Sequence, residues 1–277
     1  MITGIVIAMS GGCAMPYSMR GPYDKQVQEE FLKQPLVTED ILRESDIARL
    51  PRSVQRYLRY TRSVGKPKIQ NFRLEFDIEM KKKPDARPMV GTTEQFNFMG
   101  EMARLFYMKV HLYGIPADGL HSYRDKKATM RIRVASLFNA VDTSGAVLDE
   151  TETVTVLNDI CLMAPAALID PRFSFQEIDD SRVGVTFVNG AHKVSAVLYF
   201  GKDGELVDFS SEDRSALQDD GSFKKLRFST PVGDYKEFEG RLVLTRGQAV
   251  FHYPEGPFAY GKLRVRDIRY NVRESLK

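Results

Sequence analysis

"NFRLEFDIEM", residues 71–80, alternates without a break. Phe72, Leu74, Phe76, Ile78 and Met80 fall on one parity; Arg73, Glu75, Asp77 and Glu79 fall on the other. A period of two places the apolar set on one face and the charged set on the opposite face. That is the pattern of an antiparallel strand with one face in a core and the other in water. Wound as a helix, the same residues would scatter both sets around the axis and bury charge.

The period recurs downstream. Residues 101–113, "EMARLFYMKVHLY", carry Met102, Phe106, Met108, Val110 and Leu112 on one side. Residues 128–138, "ATMRIRVASLF", set Met130, Ile132 and Val134 against Arg131 and Arg133. Residues 184–200, "GVTFVNGAHKVSAVLYF", read as a hairpin, with Asn189-Gly190 suited to a type I′ turn. Asp203-Gly204 marks another tight turn, and 221–230, 241–246, 248–253 and 261–272 are further strand candidates. Most strands follow one another without an intervening helix, which argues against a doubly wound fold. The expected class is mainly β (α+β): one large antiparallel sheet, curled or closed into a half-barrel.

Helical spacing appears upstream and once in the middle. Tyr23, Val27 and Phe31 lie on one face of 23–34, which Pro35 ends. Residues 37–44 read as a short helix with Thr38 as N-cap and Ile41 and Leu42 inward. In 50–67, Pro51 suits a first turn, Val54, Tyr57 and Leu58 form a stripe, and Gly65 and Pro67 stop it. The interruption among the strands is "DETETVTVLNDICLMAPAALIDP", 149–171. Acidic residues at 149, 150 and 152 favour a helix start, and a lid helix is expected near 151–163, with Val154, Leu157 and Cys161 on one face. The expected organisation is a signal, lipid-attachment and tether segment over 1–22, a helical segment over 23–67 and the half-barrel over 68–275.

Composition removes several function classes. With 40 basic and 37 acidic residues the net charge is +3, too near balance for nucleic acid. The chain has two cysteines and four histidines, with no metal-ligand spacing. There is no G-x-S-x-G elbow, P-loop or G-x-G-x-x-G. Carboxylate pairs at Asp179-Asp180 and Asp219-Asp220 sit beside turn signals, where Asp bonds its own backbone. His111 and His121 flank "GIPADG" without a third ligand. No cofactor, metal or catalytic residue is expected.

The N-terminus points to export. Residues 2–9 are apolar and about as long as a signal-peptide core. Gly11 and Gly12 precede Cys13, as small residues precede a lipid-modified cysteine, although no basic residue precedes the run. Cys13 is therefore the expected lipid-attachment site; the alternative is a short disordered tail carrying a chance cysteine. Cys161 is expected in the core, which leaves Cys13 without a disulfide partner.

The segment "LPRSVQRYLRYTRSVGKPKIQNFRLEF" resembles the opening of a family of uncharacterised bacterial proteins, a domain of unknown function. The resemblance rests on Leu50, Pro51, Val54, Arg56, Tyr57, Leu58, Gly65 and Pro67. Looser matches follow at Pro165, Ala167, Leu168, Asp179, Asp234, Tyr235 and Gly240. The tryptophans usual in the family are absent here. The resemblance implies a LolA-like fold, that of the periplasmic lipoprotein carriers: a half-barrel of antiparallel strands around a helical lid.

Such a half-barrel offers a cavity between sheet and lid. Its expected lining is Phe96, Phe98, Met102, Phe106, Met108, Met130 and Phe138, with Leu157 from the lid. Met and Phe adapt to irregular ligands. A sixteen-carbon acyl chain buried there would contribute on the order of 12 kcal/mol before ordering costs. The leading expectation is an envelope protein on the periplasmic side, lipid-anchored, that binds or carries a lipid or acylated molecule. The alternative is a filled barrel that contacts another envelope protein without catalysis. An unrecognised enzyme is the third reading.

Overall fold

The computed structural model describes residues 18–112 and 114–274. Cys13 and the apolar run before it lie outside these residues.

Three helices come first: α1 (Arg20–Lys33), α2 (Glu44–Ile47) and α3 (Arg52–Tyr60). The α1 start is fixed by Asp118, whose carboxylate accepts from the Ser18 hydroxyl (2.6 Å) and the Met19 N–H (2.7 Å). No helix begins at Thr38. Residues 37–43 are mostly irregular, with Ile41 bridging Pro67 and the Thr38 N–H donating to Gln70 Oε1 at 3.0 Å. The helix starts instead at Glu44, where the Asp46 carboxylate accepts from the Arg43 N–H. The stripe of α3 behaves as its spacing predicts: Val54, Tyr57 and Leu58 are fully buried.

Six strands follow: β1 (Asn71–Met80), β2 (Met89–Phe98), β3 (Ala103–Leu112), β4 (Ile115–Arg124), β5 (Lys127–Val134) and β6 (Phe138–Ser144). Helix α4 (Ala146–Met163) and a 3-10 turn (Pro165–Ile169) come next. The remaining strands are β7 (Phe173–Glu177), β8 (Arg182–Asn189), β9 (His192–Phe200), β10 (Leu206–Ser211), β11 (Ser215–Leu217), β12 (Phe223–Lys225), β13 (Phe228–Ser229), β14 (Val232–Phe238), β15 (Arg241–Tyr253) and β16 (Gly256–Tyr270). Among the described residues, fourteen strands form one antiparallel sheet, in the order β6-β5-β4-β3-β2-β1-β16-β15-β13-β10-β9-β8-β7, with β14 beside β15. The sheet curls into a half-barrel whose two edges are β6 and β7, and α4 packs in its concavity.

Several local readings change. The 189–190 turn is not a type I′ pair. Asn189 stays in the ladder opposite His192, and only Gly190, at φ +65°, takes a positive angle. The Asn189 amide then donates to the Tyr123 hydroxyl (2.9 Å), which shares a bond with Thr153 on α4. Helix α4 starts at Ala146, earlier than the expected 151, because Gly145, at φ +115°, turns the chain out of β6. Its β-branched run is accommodated by back-bonding: Thr153 Oγ1 donates to the Asp149 carbonyl at 2.7 Å and Thr155 Oγ1 to Thr151 at 3.2 Å.

The core has two parts. The larger fills the space between the concave face and α4; Val154, Leu157, Ile160 and Cys161 have no exposed surface. The smaller lies on the convex face, where α1 lays Tyr23, Val27 and Phe31 over Phe96, Phe98, Leu105 and Leu120. Phe31 meets both Phe96 and Phe98 edge to face, at 5.6 and 5.1 Å between ring centroids.

Candidate functional site

The concave face and α4 do not close completely. A cavity of about 150 Å³ lies between them, walled on its apolar side by Leu74, Phe76, Ile78, Phe106, Met108 and Leu162. It adjoins a larger chamber of about 560 Å³ that includes Met130, Ile132, Leu148, Phe223 and Tyr253 in its wall. Met80, His121, Glu152, Arg214 and Tyr260 border both spaces. The chamber has the size of a small-ligand site, while the inner cavity alone could hold little more than a benzene-sized group.

The strand period explains these walls. The alternating apolar set of β1 faces inward, as expected. On β3, Arg104, Phe106, Met108 and Val110 share the inward parity. Strand β4 is not among the strands that the alternation predicts. Pro116 sits near its start and Gly119 lies opposite Met108, where a Cβ would come within 2.7 Å of the Met108 methyl. This strand turns His121 inward, opposite Phe106, whereas His111, on β3, faces outward, opposite Pro116. The two histidines therefore do not meet.

The expected lining residues separate into groups. Phe106, Met108 and Met130 border the spaces. Met102 is buried in the large core, and Leu157 is sealed within it; neither borders the spaces described here. Phe96 and Phe98 require a correction. Register pairs Phe96 with Arg73 and Leu105, and Phe98 with Asn71 and Ala103, so both face outward beneath α1. The inward positions of β2 are Thr93, Gln95 and Asn97, opposite Phe76, Leu74 and Phe72. Phe138 also requires a correction: it pairs with Val134 at the far end of the sheet and is 69% exposed.

Spacing did not announce a polar cluster at the inner end of the cavity. Arg104 Nε approaches Asp159 Oδ2 at 2.6 Å, and its Nη1 approaches Glu152 at 3.3 Å. Arg104 Nη2 donates to Gln95 Oε1 at 3.1 Å, and Gln95 Nε2 donates to Asp159 at 2.7 Å. The guanidinium lies 4.9 Å from the Phe106 ring centroid. A sequence signal existed: Arg104 has the parity of Met102, Phe106 and Met108, a charge on an apolar face.

His121 lies beside this cluster, edge to face with Phe106 at 5.4 Å. Its Nε2 is buried without a hydrogen-bond partner. Burial drives its pKa down to about 4; Glu152 opposes the shift, and Arg104 and Arg214 reinforce it. An unfolded-chain histidine takes up its proton near pH 6.5. Between these values the unfolded chain binds more protons, so His121 removes stability as pH falls from 6.5 to about 4, by up to ~1.4 kcal/mol per pH unit. Urea midpoints measured across that window should fall more steeply in the wild type than in His121→Gln. Parallel curves would contradict the assignment.

The other candidate groups are used structurally. Asp179 accepts from Ser181 and Arg182, which holds its carboxyl down to about 2. Asp220 accepts from Ser222 in a turn. Arg56 donates to the Asp180 carbonyl at 2.8 Å, and the Tyr57 hydroxyl donates to the Cys161 carbonyl at 2.9 Å. A groove of about 920 Å³ on the convex side is lined in part by Arg20, Asp24 and Glu94, which are already engaged with one another. Among the described residues no group of three or more His, Cys, Asp or Glu could hold a metal ion, and no helix is long and apolar enough to cross a membrane.

Comparison with known proteins gives a family. No curated protein matches the chain. Among solved structures, the chain is similar to a domain from Vibrio parahaemolyticus assigned as an outer membrane lipoprotein-sorting protein. Identity is 9% and the TM-score 0.45, over 75% of this chain and 87% of that one. It is also similar to a LolA superfamily protein from Nitrosomonas europaea, at 9% identity and TM-score 0.42, over 83% of this chain and 94% of that one. A family model matches residues 40–263, from before α2 to within β16. The chain therefore belongs to a family of unknown function, DUF6544.

Proposed function

We propose that this protein binds or carries an apolar ligand, a lipid or acylated molecule, between the concave sheet and α4. The observation that carries the reading is the pair of adjoining spaces there, walled by Phe76, Phe106, Met108 and Met130. The flexible side chains at this wall can move apart to admit an alkyl chain. Each methylene transferred from water would contribute about 0.8 kcal/mol. The protein works by this transfer alone and performs no bond chemistry. We place it in the cell envelope on the periplasmic side, held by lipid on Cys13, on the strength of the apolar run and glycines before that residue.

Native mass spectrometry of the full chain, purified from a bacterial envelope, tests the reading. The expected result is a bound mass that organic extraction recovers as lipid. A bare protein mass that stays bare when lipid is offered would replace it with the filled-barrel alternative, a partner of another envelope protein. The small inner cavity makes that alternative specific.

A further inference from the structure

Arg214 precedes β11 and borders both spaces. Its guanidinium stacks over Phe228, 4.1 Å from the ring centroid, and lies 5.7 Å from that of Phe251. Stacking occupies the flat face and leaves the N–H edge available. Arg214 Nε is buried and has no hydrogen-bond partner, and no ion pair joins Arg214 to a carboxylate among the described residues. His121 Nε2 has the same deficit across the same border.

The two nearby carboxylates are engaged elsewhere. Asp159 and Glu152 share Arg104, and Gln95 adds a donor to Asp159. An arginine with an idle donor beside an apolar chamber is a recognition element for an anionic oxygen. His121 borders the same two spaces and lies close enough to Arg214 to feel its charge.

We propose that the ligand is an alkyl or acyl amphiphile with one anionic oxygen head group, a carboxylate or a phosphate, bound against Arg214 and His121 with its chain in the adjoining spaces. This rests on the reading of the space as an apolar ligand site and adds the head group to it. Both nitrogens are buried without a hydrogen-bond partner, in side chains that border the two adjoining spaces.

Isothermal titration of the full chain with decanoate, decyl phosphate and decanol separates the terms. The expected result is that at least one anion binds tenfold or more tightly than decanol. Arg214→Gln removes that preference, whereas Arg214→Lys, which keeps the charge, retains part of it. Tighter decanoate identifies a carboxylic acid; tighter decyl phosphate identifies a phosphate ester. If decanol binds as well as both anions, or Arg214→Gln keeps the preference, the head-group assignment fails and the apolar site stands. If none of the three binds, both fail.

Discussion

Replacing Arg104 by alanine should remove about 3–5 kcal/mol of folding stability, or prevent folding. The side chain is 8% exposed and is shared by Asp159, Glu152 and Gln95. Its loss leaves two carboxylates near one another in a poorly solvated place. The penalty is that of the uncompensated charges, not the worth of the ion pairs. An exposed pair such as Arg62–Glu237, at 2.6 Å, should by contrast contribute less than about 1 kcal/mol. Combining Arg104→Met with Glu152→Gln and Asp159→Asn should recover much of the loss, because no charge is then stranded. Urea unfolding at pH 7 reads both variants. A loss below about 1 kcal/mol for Arg104→Ala would mean that the cluster is better solvated than its burial indicates.

Leu157→Ala should cost about 2–5 kcal/mol, the range for a large side chain removed from a core that cannot collapse around the gap. Leu157 is 0% exposed and sits in the middle of α4 against the sheet. Met130→Ala, at the half-buried wall of the chamber, should cost clearly less. The comparison separates packing from lining, since both residues are apolar and both were expected to line the cavity. Equal losses in urea unfolding would mean that Met130 is core and that the chamber is shallower than described.

The strands were legible where one face is wet. The 71–80 alternation holds because its odd positions meet solvent or one another as charges, so the parity is unambiguous. On β2 the same logic misleads. Phe96 and Phe98 are apolar, but α1 covers the convex face at that end, and the inward positions carry Gln95 and Asn97 to meet Asp159. Periodicity reports that a strand has two faces; it does not report which face a distant helix will cover. Strand β4 escaped notice because Pro116 and Gly119 are turn residues elsewhere. Here Pro116 tolerates a strand start, and Gly119 makes room for Met108. The candidate site was legible in its apolar half, through Phe106, Met108 and Met130. Its polar half was not, because Arg214, His121 and Glu152 come from three separate segments that only the curl of the sheet brings together.

Helix α4 follows β6 and leads, through the 3-10 turn, into β7, and these two strands are the opposite edges of the sheet. Mechanically, the helix is a chord tied to both ends of an arc. A flap needs one free end, and this element has none. It cannot swing outward on a single hinge as a closing domain does. Any widening of the interior must spread the arc or peel away an edge strand.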